Sequence, residues 1–407
     1  MADEYTFRRG ANTKQVSIDG LRKSFQGLLS TSLNISTLIG SGASVPAIPL
    51  MGATFERMKK AGNKDERVKS LKEMVEKYAQ SCNVLENEVN NIEDFLSWLE
   101  CYLTVNPQDT HAKTARDYVL EEFRQSVCLD YSTDELAVTN VLANYLDFVQ
   151  GLGFSRQILA QSKSPMFDIV NLFTTNYDFF HEIALTESGY QYSDGFTNGI
   201  ESRFSTREFH QRPIDLEDRF REHLQPVNPF FRLFKLHGSL NWIGKNNNVK
   251  RLPQSVVELP QSVVEKVVQG EDLLIMPTSS KYAVTQGSPF SDMFREFFNA
   301  LSTPNSILIT SGFSFGDQHI SELIRQALMR TDFTLYAFIS RRESGKPSNP
   351  AQDFADSNSS PNAIYIYPKD RSDYPYFCFS EVARIMKPEP EIYRDKREEG
   401  GADERSE

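Results

Sequence analysis

What most constrains this chain is the make-up of its short apolar runs. Residues 35–39, 167–173, 232–236, 273–276, 306–310, 334–339 and 363–367 are rich in β-branched and aliphatic side chains. Several are apolar on consecutive positions rather than on alternate ones. A strand that is apolar on both faces needs cover on both, which is the condition of a parallel sheet held between helical layers. Helical stretches separate the runs, so the sequence predicts an α/β fold, a Rossmann-like parallel sheet with helices on both faces.

One stretch breaks that rhythm. Between residues 54 and 153 no strand is evident. Ile92, Phe95, Leu96, Leu99 and Leu103 fall at helical spacing, as do Leu142, Tyr145, Leu146 and Val149. The expectation is a large all-helical insertion at 54–153, with residues 1–53 and 154–386 forming the sheet domain. Residues 201–229 are polar and rich in Arg, Asp and Glu, a composition suited to a lid or a subunit contact. The heptapeptide Leu-Pro-Gln-Ser-Val-Val-Glu occurs twice within 252–265. Two copies are too few for a solenoid and read as an exposed insertion. Residues 387–407 are charged, carry Gly400-Gly401 and have no apolar face, as expected of a disordered tail.

Composition narrows the function classes. With 39% hydrophobic and 12% aromatic residues, the 407-residue chain has ample core material, which excludes disorder as its dominant state. The net charge of −11 argues against direct nucleic-acid binding, which calls for a basic face. It leaves open a small anionic ligand held by backbone amides. No apolar run approaches membrane-span length and the first residues lack an apolar signal core, so a cytoplasmic protein without membrane contact is expected. The cysteines at 82, 101, 128 and 378 form no C-x-x-C pair, so neither a zinc ribbon nor a redox dithiol is encoded and no metal is expected.

Four motifs follow strands. Gly40-Ser41-Gly42-Ala43-Ser44 comes straight after the first run, where glycines let a backbone turn tightly and approach a ligand. Thr174-Thr175-Asn176-Tyr177-Asp178 follows the second; ligands of open α/β sheets bind at that edge, although Asn and Asp also cap helices for structural reasons alone. His237-Gly238 follows the third, and an imidazole there suits general-base work near neutral pH. Ser311-Gly312-Phe313-Ser314 follows the fifth and feeds a helix for which Asp317 is the expected N-cap.

In this order the four motifs resemble those of the sirtuin (SIR2) superfamily. Gly40–Ser44 is similar to the family's GAG-x-S loop, with Pro49 in the place of its G-I-P element. The segment Thr174 to Asp178 is similar to T-Q-N-x-D, with threonine for glutamine; His237-Gly238 resembles the catalytic H-G, and the loop from Ser311 to Ser314 the later ribose and phosphate loop. The four-cysteine zinc module of deacetylase sirtuins has no counterpart, since no cysteine lies between 129 and 377. What remains resembles the bacterial SIR2-like effectors of phage defence that cleave NAD+, in particular the SIR2 partner of a HerA-type ATPase.

The resemblance implies NAD+ as substrate, no metal, and homo-oligomers bound to a HerA-type ATPase. It implies Asn176, Asp178 and His237 as catalytic. Gly40, Ser41, Gly42, Ala43, Ser44, Pro49, Thr174, Tyr177, Gly238, Ser311, Gly312, Phe313 and Ser314 would bind the dinucleotide. Asn176 would orient ribose and water, Asp178 would hold the carboxamide, and His237 would act as base. The loop at 40–44 would take the pyrophosphate and Ser314 the adenosine side. Two alternatives stand beside it: a module that senses NAD+ or ADP-ribose without cleaving it, and a DNA-processing accessory subunit.

Overall fold

The computed structural model describes residues 4–31, 33–62, 64–162, 169–220, 223–245, 248–253, 272–273, 287–340, 349–368 and 379–387. The chain opens with the strands β1 (Glu4–Arg9) and β2 (Asn12–Ser17), then α1 (Ile18–Leu29), whose N-cap Ser17 accepts a hydrogen bond from Gly20 N. Strand β3 (Asn34–Ile39) runs into a 3-10 turn at Ser41–Ser44. Next come α2 (Met51–Lys60), α3 (Glu66–Cys82), α4 (Ile92–Val105), α5 (Thr110–Val127) and α6 (Leu136–Ser162). Polar side chains start three of these: Asp65, Asn91 and Asp109 each accept from backbone amides of the first turn.

Strand β4 (Ile169–Thr174), α7 (Phe180–Glu187) and β5 (Gln191–Ser193) follow. Then come β6 (Ser202–Arg203), the hairpin β7 (Ile214–Phe220) and β8 (His223–Pro226), and β9 (Phe230–Lys235). Three short strands, β10 (Trp242–Lys245), β11 (Asn248–Arg251) and β12 (Asp272–Leu273), precede α8 (Phe290–Ser302). The chain then alternates through β13 (Ser306–Ser311), α9 (Gln318–Ala327), β14 (Phe333–Phe338), α10 (Pro350–Ser357), β15 (Ala363–Pro368) and α11 (Phe379–Met386).

Nine strands form the main sheet in the order β2-β1-β15-β14-β13-β3-β4-β9-β5. The seven from β15 to β5 are parallel, and β1 and β2 add an antiparallel edge. The chain leaves β3 towards β4 on one side and later returns to place β13 on the other. Strand direction of travel therefore reverses at β3, and a crevice opens there at the carboxyl ends.

The double cover expected from the consecutive apolar runs is present. Adjacent residues of one strand enter different cores: Ile39, Leu172 and Leu233 join the core with α1 and α2–α6, while Leu38, Phe173 and Phe234 join the one with α8, α9 and α10. The helices between β3 and β4 are not a detached module, because Phe55, Leu71, Phe95 and Phe148 share one core with Ile35 and Val170 of the sheet. Helix α6 also continues unbroken past residue 153.

One expectation differs from the structure. Leu273 belongs to a separate antiparallel sheet, ordered β12-β10-β11-β6, and not to the parallel one; residues 274–276 lie outside the described residues. The 201–229 stretch, whose composition suits a lid or subunit contact, contains β6 and the β7–β8 hairpin, in which β7 pairs only with β8 among the described residues. Most of the tandem heptapeptide and all of 388–407 lie outside the described residues.

Candidate active site

Register across the sheet explains why distant motifs meet. Ser311 pairs with Ile39, Ile39 with Thr174, and Thr174 with Lys235, so four parallel strands end at one level. Every residue immediately beyond them starts a loop on the same edge. Backbone bonds tie those loops together: Thr175 N donates to Ile39 O (3.2 Å), Leu236 N to Thr174 O (2.9 Å) and Gly40 N to Ser311 O (3.0 Å).

The first and last loops are joined backbone to backbone. Gly42 N donates to Gly312 O at 3.0 Å, and Gly312 sits at φ +65°. A Cβ on Gly312 would lie 2.4 Å from Ala43 N, and one on Gly40 would lie 2.5 Å from Gly312 O. The glycines are thus required by contact between the loops. That changes the expected reason for them: the amides of Gly40, Gly42 and Ala43 are all donated to carbonyls of the protein rather than left to grip phosphate. Within this loop, the side chains that reach the cleft are Ser41 and Ser44.

The second loop carries the densest hydrogen bonding. Thr174 Oγ1 donates to Ile39 O (2.9 Å) and accepts from Asn176 N (3.0 Å), which fixes the turn. Asn176 Nδ2 lies 3.2 Å from Gly40 O, 3.1 Å from Ser44 Oγ and 3.2 Å from the hydroxyl of Tyr145. Ser44 Oγ donates to Asp178 Oδ2 at 2.7 Å and lies 3.1 Å from the Tyr145 hydroxyl. Asn176 Oδ1 is buried and has no hydrogen-bond partner. A buried carbonyl without a donor costs free energy, and this one belongs to a residue that lines the cleft.

Beneath this loop lies a buried ammonium. Lys235 Nζ donates to Ser239 Oγ (2.8 Å), to Glu182 Oε1 (2.8 Å) and to the carbonyls of Tyr177 and Asp178. Burial pushes the Asp178 carboxyl above the usual carboxylate range, opposed by the Lys235 ammonium and by the bond from Ser44. Glu182 is raised likewise by burial, against Lys235. Burial holds the Tyr145 phenol well above its ordinary value, with the charge of Asp178 adding to the effect. The neighbouring His181 is driven down to about 3 by burial.

His237 begins the third loop, and its Nε2 is 3.0 Å from Asp317 Oδ2. Asp317 also caps α9 through Oδ1, which accepts from Ile320 N at 3.2 Å. One carboxylate therefore serves both a helix and an imidazole.

These loops surround a cleft of about 680 Å³. Of the sequence-predicted residues, Ser41, Ser44, Pro49, Asn176, Tyr177, Asp178, His237, Gly312, Phe313 and Ser314 line it. Gly40, Gly42, Ala43, Thr174, Gly238 and Ser311 do not line it, and their part is to shape the loops in front. The opposite wall comes from the inserted helices: Asn91, Glu93 and Asp94 at the start of α4, and Phe123 and Val127 on α5. Glu93, Asp94, Asp178 and Asp317 line the cleft, while no Lys or Arg does so among the described residues.

Sequence reasoning missed Tyr145, Lys235 and the inserted wall. Tyr145 sits on the apolar stripe of α6, where a phenol reads as core. Lys235 sits inside a strand, where only the fold reveals its three-dimensional partners. No group of three or more His, Cys, Asp or Glu suited to a metal ion occurs among the described residues, and none of their helices is long and apolar enough to cross a membrane.

Residues 170–361 match the family model of the SIR2-like domain. The match takes in Asn176, Asp178, His237 and the 311–314 loop, and it supports a SIR2-like superfamily member with NAD-related chemistry. No curated protein matches the chain.

Proposed function

We propose that the cleft is the active site of an NAD+ glycohydrolase, which releases nicotinamide and ADP-ribose. The observation that carries this reading is the meeting of Asn176, Asp178 and His237, from two strand ends, with Ser44 and the 312–314 loop around one cleft. A sensing module would need shape and hydrogen bonds, but not an imidazole backed by a carboxylate.

The scissile C–N bond joins ribose to a cationic pyridinium, so nicotinamide departs as a neutral molecule and the ribose passes through an oxocarbenium-like state. Such a reaction asks the protein mainly for orientation and electrostatic stabilisation. Asn176 lines the cleft, and in this reading its unpartnered Oδ1 accepts from a ribose hydroxyl or from the attacking water. His237 accepts the proton that the water gives up as its oxygen bonds to the ribose carbon. Asp317 Oδ2, 3.0 Å from His237 Nε2, orients the imidazole and stabilises the imidazolium that forms. Asp178, engaged by Ser44 and by Phe180 N, acts by holding the loop in place and contributes negative potential beside a cationic ring. Glu93 and Asp94 add to that potential from the opposite wall.

Chromatography of NAD+ incubated with the purified protein tests this directly. Equimolar nicotinamide and ADP-ribose are expected, and His237→Ala should lose at least about 100-fold in rate with the fold intact. Full turnover in that variant removes the assigned base, and recovery of unchanged NAD+ after binding favours the sensing alternative.

In the same reading the protein is a homo-oligomer that works with a HerA-type ATPase and depletes NAD+ during anti-phage defence. A freely active NADase would exhaust its own host, so restraint by assembly follows. Co-elution with such an ATPase, and a change in nicotinamide release on mixing, are the expected results; neither occurring would remove the partner.

A further inference from the structure

We propose that Tyr145, on the last helix of the insertion, is a positioning residue that fixes which way the Asn176 amide faces. This rests on the glycohydrolase reading for its kinetic consequence, but not for its structural one. The hydrogen-bond directions start from Ser44, whose hydroxyl donates to Asp178 Oδ2 across 2.7 Å. The lone pairs of Ser44 Oγ then receive the Tyr145 hydroxyl hydrogen across 3.1 Å and an Asn176 Nδ2 hydrogen across 3.1 Å. Tyr145 keeps a lone pair for Nδ2, which stands 3.2 Å away, and Gly40 O supplies the third acceptor.

Every group facing Nδ2 is therefore an acceptor. If the amide turned over, its carbonyl would meet the Gly40 carbonyl and two hydroxyls whose hydrogens are already committed, with no donor to compensate. The chain holds Oδ1 on the other side, where it is buried, lacks a partner and belongs to a residue that lines the cleft. Tyr145 is itself held rigidly: its ring stacks on Phe180 at 5.2 Å, meets His181 edge-on at 4.8 Å and packs at a tilt against Phe379 at 4.8 Å. Its hydroxyl is the part of the insertion that reaches the reacting-centre asparagine by hydrogen bond. Removing only that hydroxyl leaves the ring packing in place, but frees Nδ2 from one of its three acceptors and Ser44 from one of its donors.

Tyr145→Phe in the full chain tests this. The expected kinetic result is a fall in kcat of about tenfold, the worth of one lost orienting hydrogen bond, with KM for NAD+ changed less than about threefold. Paired with Asn176→Ala, the substitution should add no further loss, because the tyrosine acts through the asparagine. A merely structural tyrosine would instead shift the thermal midpoint, leave kcat per folded molecule unchanged and add to the Asn176→Ala loss; that pattern overturns the proposal. Hydrogen exchange of the Asn176 side-chain amide, followed with asparagine-selective nitrogen labelling, keeps the two readings apart. Faster exchange in Tyr145→Phe than in the parent supports the positioning role even if NAD+ is never cleaved, and equal exchange refutes it even if NAD+ is cleaved well.

Discussion

The two walls of the cleft were built by different rules. The sheet-edge wall consists of loops that continue strands, with positions set by register: Ser311, Ile39, Thr174 and Lys235 align, and the residues after them converge. The inserted wall consists of helix faces and caps, Asn91, Glu93, Asp94, Phe123 and Val127, whose positions depend on how α4, α5 and α6 pack against the sheet. The contrast teaches that the residues proposed to react are concentrated on the part of the fold with the least freedom. The other wall can tune access and charge without disturbing them.

Four outcomes would break or sharpen that contrast, taken from the largest effect downwards. On the sheet-edge wall, Asn176→Ala should lower kcat about 100- to 1,000-fold, as for removal of a group that stabilises developing charge. A loss below tenfold would mean that the edge wall is not where the chemistry lies. Gly312→Ala should destabilise the fold by about 2–3 kcal/mol, because the added methyl meets Ala43 N and Gly40 O at a left-handed backbone position. Chemical denaturation measures this, and a neutral result would dissolve the claim that the two glycine loops are locked together.

At the seam between the walls, His181 titrates at about 3, far below the ordinary value of 6.5. The unfolded chain takes up that proton first, so the contribution of His181 is complete above pH 6.5 and drains away as pH falls towards 3. The slope is at most about 1.4 kcal/mol per pH unit. His181→Phe should therefore lose stability more gently over that window than the parent does, and parallel acid curves would contradict the assignment. On the inserted wall, Glu93→Gln with Asp94→Asn should raise KM for NAD+ by only about two- to fivefold and leave kcat nearly unchanged, since charge on that wall steers a ligand more than it transforms it. A large kcat effect there would erase the division between the walls.

Much of this was legible along the chain. The parallel strands announced themselves because a doubly covered strand must be apolar on adjacent residues, as Leu38 with Ile39 and Leu172 with Phe173 proved to be. The motifs after β3, β4, β9 and β13 were visible for a related reason, since ligands of open α/β sheets bind at the carboxyl ends of such strands. The edge hairpin was not legible: β2 is Asn-Thr-Lys-Gln-Val-Ser, and it is almost wholly exposed, so it carries no apolar signature at all. Asp317 was legible as a helix cap, but its second oxygen meets His237 from 80 residues away.

The amino-acid order by itself determined which segments become buried strands and which polar residues stand at their carboxyl ends, because both follow from local hydrophobic pattern and loop chemistry. Tertiary structure alone decided what those residues face. Tyr145 became a partner of Asn176, Lys235 a buried anchor beneath the loop, and Gly312 a mate of Gly40, since each relation depends on distances set by packing between elements far apart in the chain.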